Sequence, residues 1–140
     1  MLDRYRDVFE SLNAHDVRYL VIGGIAAIVH GVPRMTFDLD IVIEATRENA
    51  QRLLDAFLDA RLGTAALITA DDLLATEITV FKDRVRIDVQ TTTPGITFAQ
   101  AWARRDTIEH RGIKIPLACR EDVIASKLAA GPWTSRTRVS

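Results

Sequence analysis

The chain has 140 residues, a length that fits one domain over 1–140, and 48% of them are hydrophobic, ample for a packed core. Charged residues make up 26% with a net charge of −1, so no basic excess points to nonspecific binding along a nucleic-acid backbone, although an RNA end entering a local pocket is still compatible. Cys119 is the single cysteine, which excludes an internal disulfide, suits a reducing cytoplasm and reads as a small buried apolar residue.

The N-terminus, Met1 to Asp7, has no apolar signal core. Leu2, Tyr5, Val8, Phe9 and Leu12 share one helical face, which predicts a helix over 2–14 before a turn at Asn13 to Asp16. Val17 to Ile22 reads as a short apolar strand ended by Gly23-Gly24. Ile25 to His30 follows as a short buried helix, closed by Gly31 and Pro33. Its apolar run is too short to span a bilayer, so no membrane partner is expected and the protein is placed in the cytoplasm.

Asp38 to Glu44 alternates as a strand, with Leu39, Ile41 and Ile43 on one side and Asp38, Asp40, Val42 and Glu44 on the other. Thr46 caps the next helix, which carries Ala50, Leu53, Leu54, Phe57 and Leu58 at core spacing. After a weak stretch over 61–70, Asp71 to Ala75 reads as a helical turn. Glu77 to Phe81 and Val85 to Gln90 then form a hairpin about Lys82-Asp83-Arg84. Pro94-Gly95 breaks the chain, and Thr97 caps a helix through Ala103 that buries Phe98, Ala101 and Trp102. Thr107 to His110 and Ile113 to Leu117 flank Arg111-Gly112 as a second hairpin. Arg120 to Ala130 is the last helix, with Val123, Ile124, Lys127 and Leu128 near one face. Helices mixed with hairpins imply an α+β (mixed α/β) fold, a sheet with helices packed on it.

The chemistry concentrates in the acids. Residues i and i+2 of a strand point the same way, about 6.5–7 Å apart at Cα. Asp38 and Asp40 therefore project together, and Asp88, in Arg86-Ile87-Asp88-Val89, can join them from a neighbouring strand. Three converging carboxylates repel unless a cation offsets them, which argues for a divalent metal held by Asp38, Asp40 and Asp88. Mg²⁺ prefers one or two carboxylates completed by phosphate and water. A pair of such ions stabilises both ends of an in-line phosphoryl displacement. Gly23-Gly24 fits the same chemistry, since glycine lets backbone approach a phosphate closely.

The ordered combination of strand, Gly-Gly, helix, Asp-x-Asp strand and later Asp strand, over residues 17 to 90, resembles the nucleotidyltransferase superfamily with a DNA polymerase β-like catalytic core. The run Gly23-Gly24-Ile25-Ala26, His30-Gly31 and Arg34-Met35-Thr36-Phe37-Asp38-Leu39-Asp40 is similar to small bacterial members, including relatives of the abortive-infection AbiEii toxins and the minimal nucleotidyltransferases of toxin–antitoxin systems. The resemblance implies a nucleotidyltransferase-like mixed β-sheet and Mg²⁺-dependent (or Mn²⁺-dependent) transfer of a nucleotide from an NTP to an RNA or protein acceptor. By it, Asp38 and Asp40 hold both metals, and Asp88 activates the attacking hydroxyl. It also brings in a cognate toxin or antitoxin partner, and a homodimer is a further candidate assembly.

Many active members place Ser after the first Gly, where its hydroxyl helps to hold phosphate. Here Gly24 and then Ile25 follow, so phosphate grip rests on backbone and cations. Arg34 is the nearest cation, to hold phosphate or to pair with Asp38 or Asp40. Thr36 either orients a carboxylate or simply suits a strand. Lys127 resembles a lysine on the family's late helix that reaches the triphosphate, or is a snorkelling side chain. Gly23, Gly24, Arg34, Thr36 and Lys127 are thus the nucleotide-binding candidates. His15, His30 and His110 lack metal-ligand spacing.

Residues 131–140 are atypical: related proteins continue after Ala-Ala-Gly with another acidic helix, and this segment has no helical periodicity. A frameshifted or truncated tail is one explanation, which the gene's nucleotide sequence decides. The competing reading of function is a catalytically weak or inactive nucleotide-binding or antitoxin-like partner protein. A bland third reading leaves Asp38 and Asp40 as solvent-facing strand residues.

Overall fold

The structure, a computed structural model, describes residues 2–31 and 38–130. A 3₁₀ turn at Leu2–Tyr5 leads into α1 (Arg6–Ala14), followed by β1 (Tyr19–Ile22), α2 (Gly23–Val29), β2 (Leu39–Ile43) and α3 (Arg47–Asp59). A second 3₁₀ turn (Gly63–Leu67) precedes α4 (Ala70–Leu74), β3 (Ile78–Lys82), β4 (Arg86–Gln90) and α5 (Phe98–Ala103). The described part closes with β5 (Asp106–His110), β6 (Ile113–Leu117) and α6 (Arg120–Ala130). Six strands form one mixed sheet in the order β3-β4-β2-β1-β6-β5. β1 pairs antiparallel with β2, while β2–β4 and β1–β6 are parallel. No helix among the described residues is long and apolar enough to cross a membrane.

The core forms where the apolar stripes of α1 and α3 meet the sheet. Val8, Phe9 and Leu12 of α1 and Leu53, Leu54 and Phe57 of α3 are buried against Leu39, Ile41, Ile43, Ile87 and Val89. Thr46 caps α3 as its sequence predicts: its Oγ1 accepts the Asn49 N–H at 3.2 Å. Asn49, buried in the first turn of α3, ties the neighbouring chain ends together. Its Oδ1 accepts the Arg18 N–H at 2.8 Å, and its Nδ2 donates to Arg18 O at 3.0 Å and Glu44 O at 2.9 Å. Both predicted hairpins are present. Arg111 and Gly112 take positive φ of 52° and 83°, the backbone that a tight two-residue hairpin turn demands.

Four expectations shift. The glycines lie inside the first turn of α2 rather than before it. Leu58 is exposed, because α3 meets the sheet through the narrower Leu53, Leu54 and Phe57 stripe. Phe98 and Trp102 are only partly buried, their rings stacked on each other at 5.7 Å, with the Arg105 guanidinium 3.9 Å from the Trp102 ring centroid. On α6, Val123 is buried but Ile124 and Leu128 are exposed. That helix instead docks beside Ala125 and Ala129, where Gly95 approaches so closely that a Cβ on it would lie 2.6 Å from Ala125 O. The tail at 131–140 lies outside the described residues.

Candidate active site

Two central strands build the site. The β2–β4 register sets Asp40 beside Asp88, and the β1–β2 register sets Ile22 opposite Asp40. Alternation does the rest. Because Leu39, Ile41, Ile87 and Val89 point into the core, Asp40 and Asp88 turn to the other face. Arg86 and Gln90, each two residues from Asp88, share that face.

Asp38 stands at the entrance to β2, about half exposed, and Arg86 joins it to the pair. The Arg86 Nε–H donates to Asp88 Oδ1 at 3.1 Å and lies 3.9 Å from Asp38 Oδ2. The backbone of Arg86 is itself held, its carbonyl accepting the Tyr5 hydroxyl at 2.9 Å. Tyr5 is buried at the end of the first 3₁₀ turn, and its own acidity is weakened by that burial and by the Asp38 and Asp40 charges.

The electrostatics of the cluster centre on Asp40. Burial pushes its carboxyl up to about 7, helped by the Asp88 charge, a hydrogen bond with Asp88 and the Asp38 charge, while Arg86 pulls the other way. Burial and the neighbouring carboxylates thus favour the protonated form of Asp40. The Arg86 guanidinium is correspondingly stabilised in its charged form, first by its hydrogen bond to Asp88.

Gly23 has a role that its sequence context hid. A Cβ on Gly23 would lie 3.0 Å from Cβ and Cγ of Asp40 and closer still to Oδ2. Its φ of +71° is also one that side-chain-bearing residues rarely adopt. The missing side chain at Gly23 is thus the space that the Asp40 carboxylate fills. Gly24, next in the chain, is buried.

Of the other predicted site residues, Gly24 and Lys127 are among the described ones. Lys127 lies on the exposed side of α6 in its last turn, and its neighbour Ser126, rather than Lys127, lines the cavity beside Gly23. Arg34 and Thr36 lie outside the described residues. His15, His30 and His110 bond to Asp59, Ala118 O and Asp3. Cys119 is buried with its thiol directed at Asp122, 3.4 Å away.

Among the described residues no group of three or more His, Cys, Asp or Glu side chains is arranged to hold a metal ion. Asp40 and Asp88 alone fit a hard divalent cation in another way. They are adjacent oxygen donors whose mutual repulsion a 2+ charge relieves, and Mg²⁺ takes one or two carboxylates with waters and phosphate oxygens.

This architecture recurs, along nearly the whole chain, among solved structures. A Thermotoga maritima protein, provisionally assigned as a nucleotidyltransferase, superposes with a TM-score of 0.61, covering 93% of this chain and 84% of its own. The fold is nucleotidyltransferase-like. Sequence identity is 16%, so the likeness is one of fold. No protein-family profile and no curated protein matches the chain.

Within the nucleotidyltransferase-like frame, the sequence reading passed over three residues. Arg86 was visible as the residue two before Asp88 on the same strand face. Gln90 was equally visible as the residue two after it. Tyr5 was placed only as a helix-face residue, and nothing local to it signals that its hydroxyl crosses to the backbone of Arg86.

Proposed function

We propose that this chain catalyses divalent-metal-dependent transfer of a nucleotide from an NTP to an RNA or protein acceptor, in the setting of a toxin–antitoxin or abortive-infection system. The observation that carries the reading is the side-by-side placement of Asp40 and Asp88 on a nucleotidyltransferase-like sheet, with Gly23 opening room for the Asp40 carboxylate.

In the proposed reaction an acceptor hydroxyl oxygen attacks the α-phosphorus of the NTP. The new oxygen–phosphorus bond replaces the α–β anhydride bond, and pyrophosphate leaves. Asp88 takes the hydroxyl proton, its carboxylate held in orientation by the Arg86 N–H. Asp40 and Asp88 are the residues that would hold Mg²⁺ or Mn²⁺, with Asp38 added on the family resemblance alone, and the ion would supply charge stabilisation at the reacting phosphate. Arg86 offsets part of the carboxylate charge before any ligand arrives. Gly24, Arg34, Thr36 and Lys127 are carried as contributors to phosphate binding on the family resemblance alone.

A second reading, a nucleotide-binding or antitoxin-like partner with little turnover, draws on Gly24, which offers no hydroxyl where many active members have Ser. Incubation with each α-³²P-labelled NTP, Mg²⁺ or Mn²⁺, and total cellular RNA and protein separates the two. Label transfer by wild type, lost in Asp40→Asn and Asp88→Asn, supports the enzyme and identifies the acceptor class. Nucleotide binding with no transfer under any condition favours the partner reading.

A further inference from the structure

Tyr5 reaches the acid cluster from an element that carries none of its acids. It stands at the N-cap position of α1, yet its side chain makes no capping hydrogen bond there. The side chain is instead fully buried, and its hydroxyl donates to the Arg86 carbonyl at 2.9 Å, across 81 residues of chain. The start of β2 acts on the same oxygen. Burial weakens the acidity of the phenol first and the Asp38 charge next; Arg4 and a backbone hydrogen bond from Leu39 oppose them, and the Asp40 charge adds to the rise. Leu39 and Ile87, the residues that follow Asp38 and Arg86, are partners in the β2–β4 register. The hydroxyl thus lies where the two acid-bearing strands begin.

Packing places the ring. Tyr5 and Phe9 are one helical turn apart with ring centroids at 6.5 Å, and Phe9 stacks on Tyr19 of β1 at 6.4 Å. Tyr19 is held in turn, its hydroxyl donating to Asn13 Oδ1 at 2.9 Å. In a close-packed aromatic row of this kind the Tyr5 hydroxyl is a fixed point. Arg86 lies where such a point has most effect. It is the first residue of β4, and the ends of elements open more readily than their centres. Its guanidinium is the cation that Asp88 holds at 3.1 Å and that Asp38 approaches at 3.9 Å. A shift of the Arg86 backbone moves that guanidinium relative to both carboxylates.

We infer that Tyr5 is a positioning residue for the acid cluster: by holding the Arg86 carbonyl, its hydroxyl fixes the Arg86 guanidinium between Asp38 and Asp88. The effect on catalysis rests on the nucleotidyltransferase reading. The effect on Arg86 does not.

Tyr5→Phe removes the hydroxyl and keeps the ring. The first readout is hydrogen exchange of the Arg86 Nε–H, followed by NMR on ¹⁵N-labelled protein and assigned by its absence in Arg86→Lys. In wild type the bond to Asp88 should protect this N–H, and Tyr5→Phe should speed its exchange about tenfold. The second readout is nucleotide transfer, where kcat should fall about tenfold with KM held within about twofold. The Arg86→Ala background separates positioning from structure, because it keeps the carbonyl that Tyr5 holds and removes the guanidinium. There Tyr5→Phe should still lower Tm by about 3–5 °C, as it does with Arg86 present, while changing transfer less than about twofold. Circular dichroism confirms that the variants fold. Unchanged Nε–H exchange in Tyr5→Phe, or an equal loss of transfer in both backgrounds, overturns the inference. A wild type that transfers no nucleotide overturns the enzyme reading alone, and the exchange measurement then decides the role of Tyr5.

Discussion

Replacing Asp40 with Asn removes the carboxyl whose ionisation the fold resists. In the folded chain that carboxyl is pushed from 3.8 up to about 7, mainly by burial and then by the Asp88 and Asp38 charges. A carboxyl with a folded pKa above its unfolded one holds its proton more tightly in the folded state. Its contribution to stability is complete below the unfolded value, and is lost as pH rises through about 7. The gap corresponds to about 4 kcal/mol at full ionisation, taken as an upper limit. Asn reproduces the shape and donor of the protonated acid without the charge. Urea unfolding followed by circular dichroism, at several pH values from about 3 to 9, measures the difference. The two proteins should be close in stability at the acid end, and Asp40→Asn should be more stable by about 2–4 kcal/mol at the alkaline end. A gap that does not widen with pH, or a variant less stable than wild type throughout, refutes the account of a carboxyl strained by burial and by its neighbours.

Gly23→Ala places a methyl group against the Asp40 carboxylate at a φ of +71°. It should lower stability by about 1–3 kcal/mol in thermal unfolding. By displacing Asp40 it should also cut the proposed nucleotide transfer about 100-fold. Asn49→Ala leaves the Arg18 N–H and the Arg18 and Glu44 carbonyls without their side-chain partner. A loss of about 3 kcal/mol is expected, read as a shift in urea midpoint with unchanged slope. Arg86→Ala removes the bridge between Asp38 and Asp88 at a position about one-third exposed. It should cost about 1 kcal/mol or less of stability, while the proposed nucleotide transfer falls much further; Arg86→Lys, with a point charge in place of the fork, should recover only part of that transfer.

The elements were legible where side chains alternate or recur without interruption. The β2 run Leu39 to Ile43 and the hairpin about Arg111-Gly112 declare themselves through local pattern and turn chemistry. So does the Thr46 cap. The α4 turn was legible as a helical turn, but its capping box between Thr69 and Asp72 was not read. The i and i+2 spacing put Asp38 and Asp40 on one face, and a later strand acid beside them was a fair inference. That Asp88 would lie beside Asp40 in register was not legible, because α3, α4 and β3 intervene and the pairing belongs to the sheet as a whole. The same holds for α6, whose predicted face rested on its largest apolar residues. Only Val123 of that face is buried, and the Gly95 loop meets the helix at the small residues Ala125 and Ala129. Asn49 reads from sequence as an ordinary first-turn residue, and its three bonds to other loops exist only once the strands around α3 are in place.

The strand order has a consequence for how the molecule is assembled. β1 is a central strand, yet its two neighbours come from opposite parts of the chain: β2 follows soon after, while β6 is drawn from residues 113–117. Residues 19–90 alone contain β1 to β4 and all three acids. During synthesis, where earlier segments emerge first, that four-stranded half can pair while the other edge of β1 still faces water. The long loop to β6 closes last, the step that sequence separation makes slow. Until then an unpaired edge of a Leu-Val-Ile strand stands open beside the newly formed acid cluster. The half that carries the acid cluster is thus the half left with an open edge, and the β5–β6 hairpin is the segment that closes it.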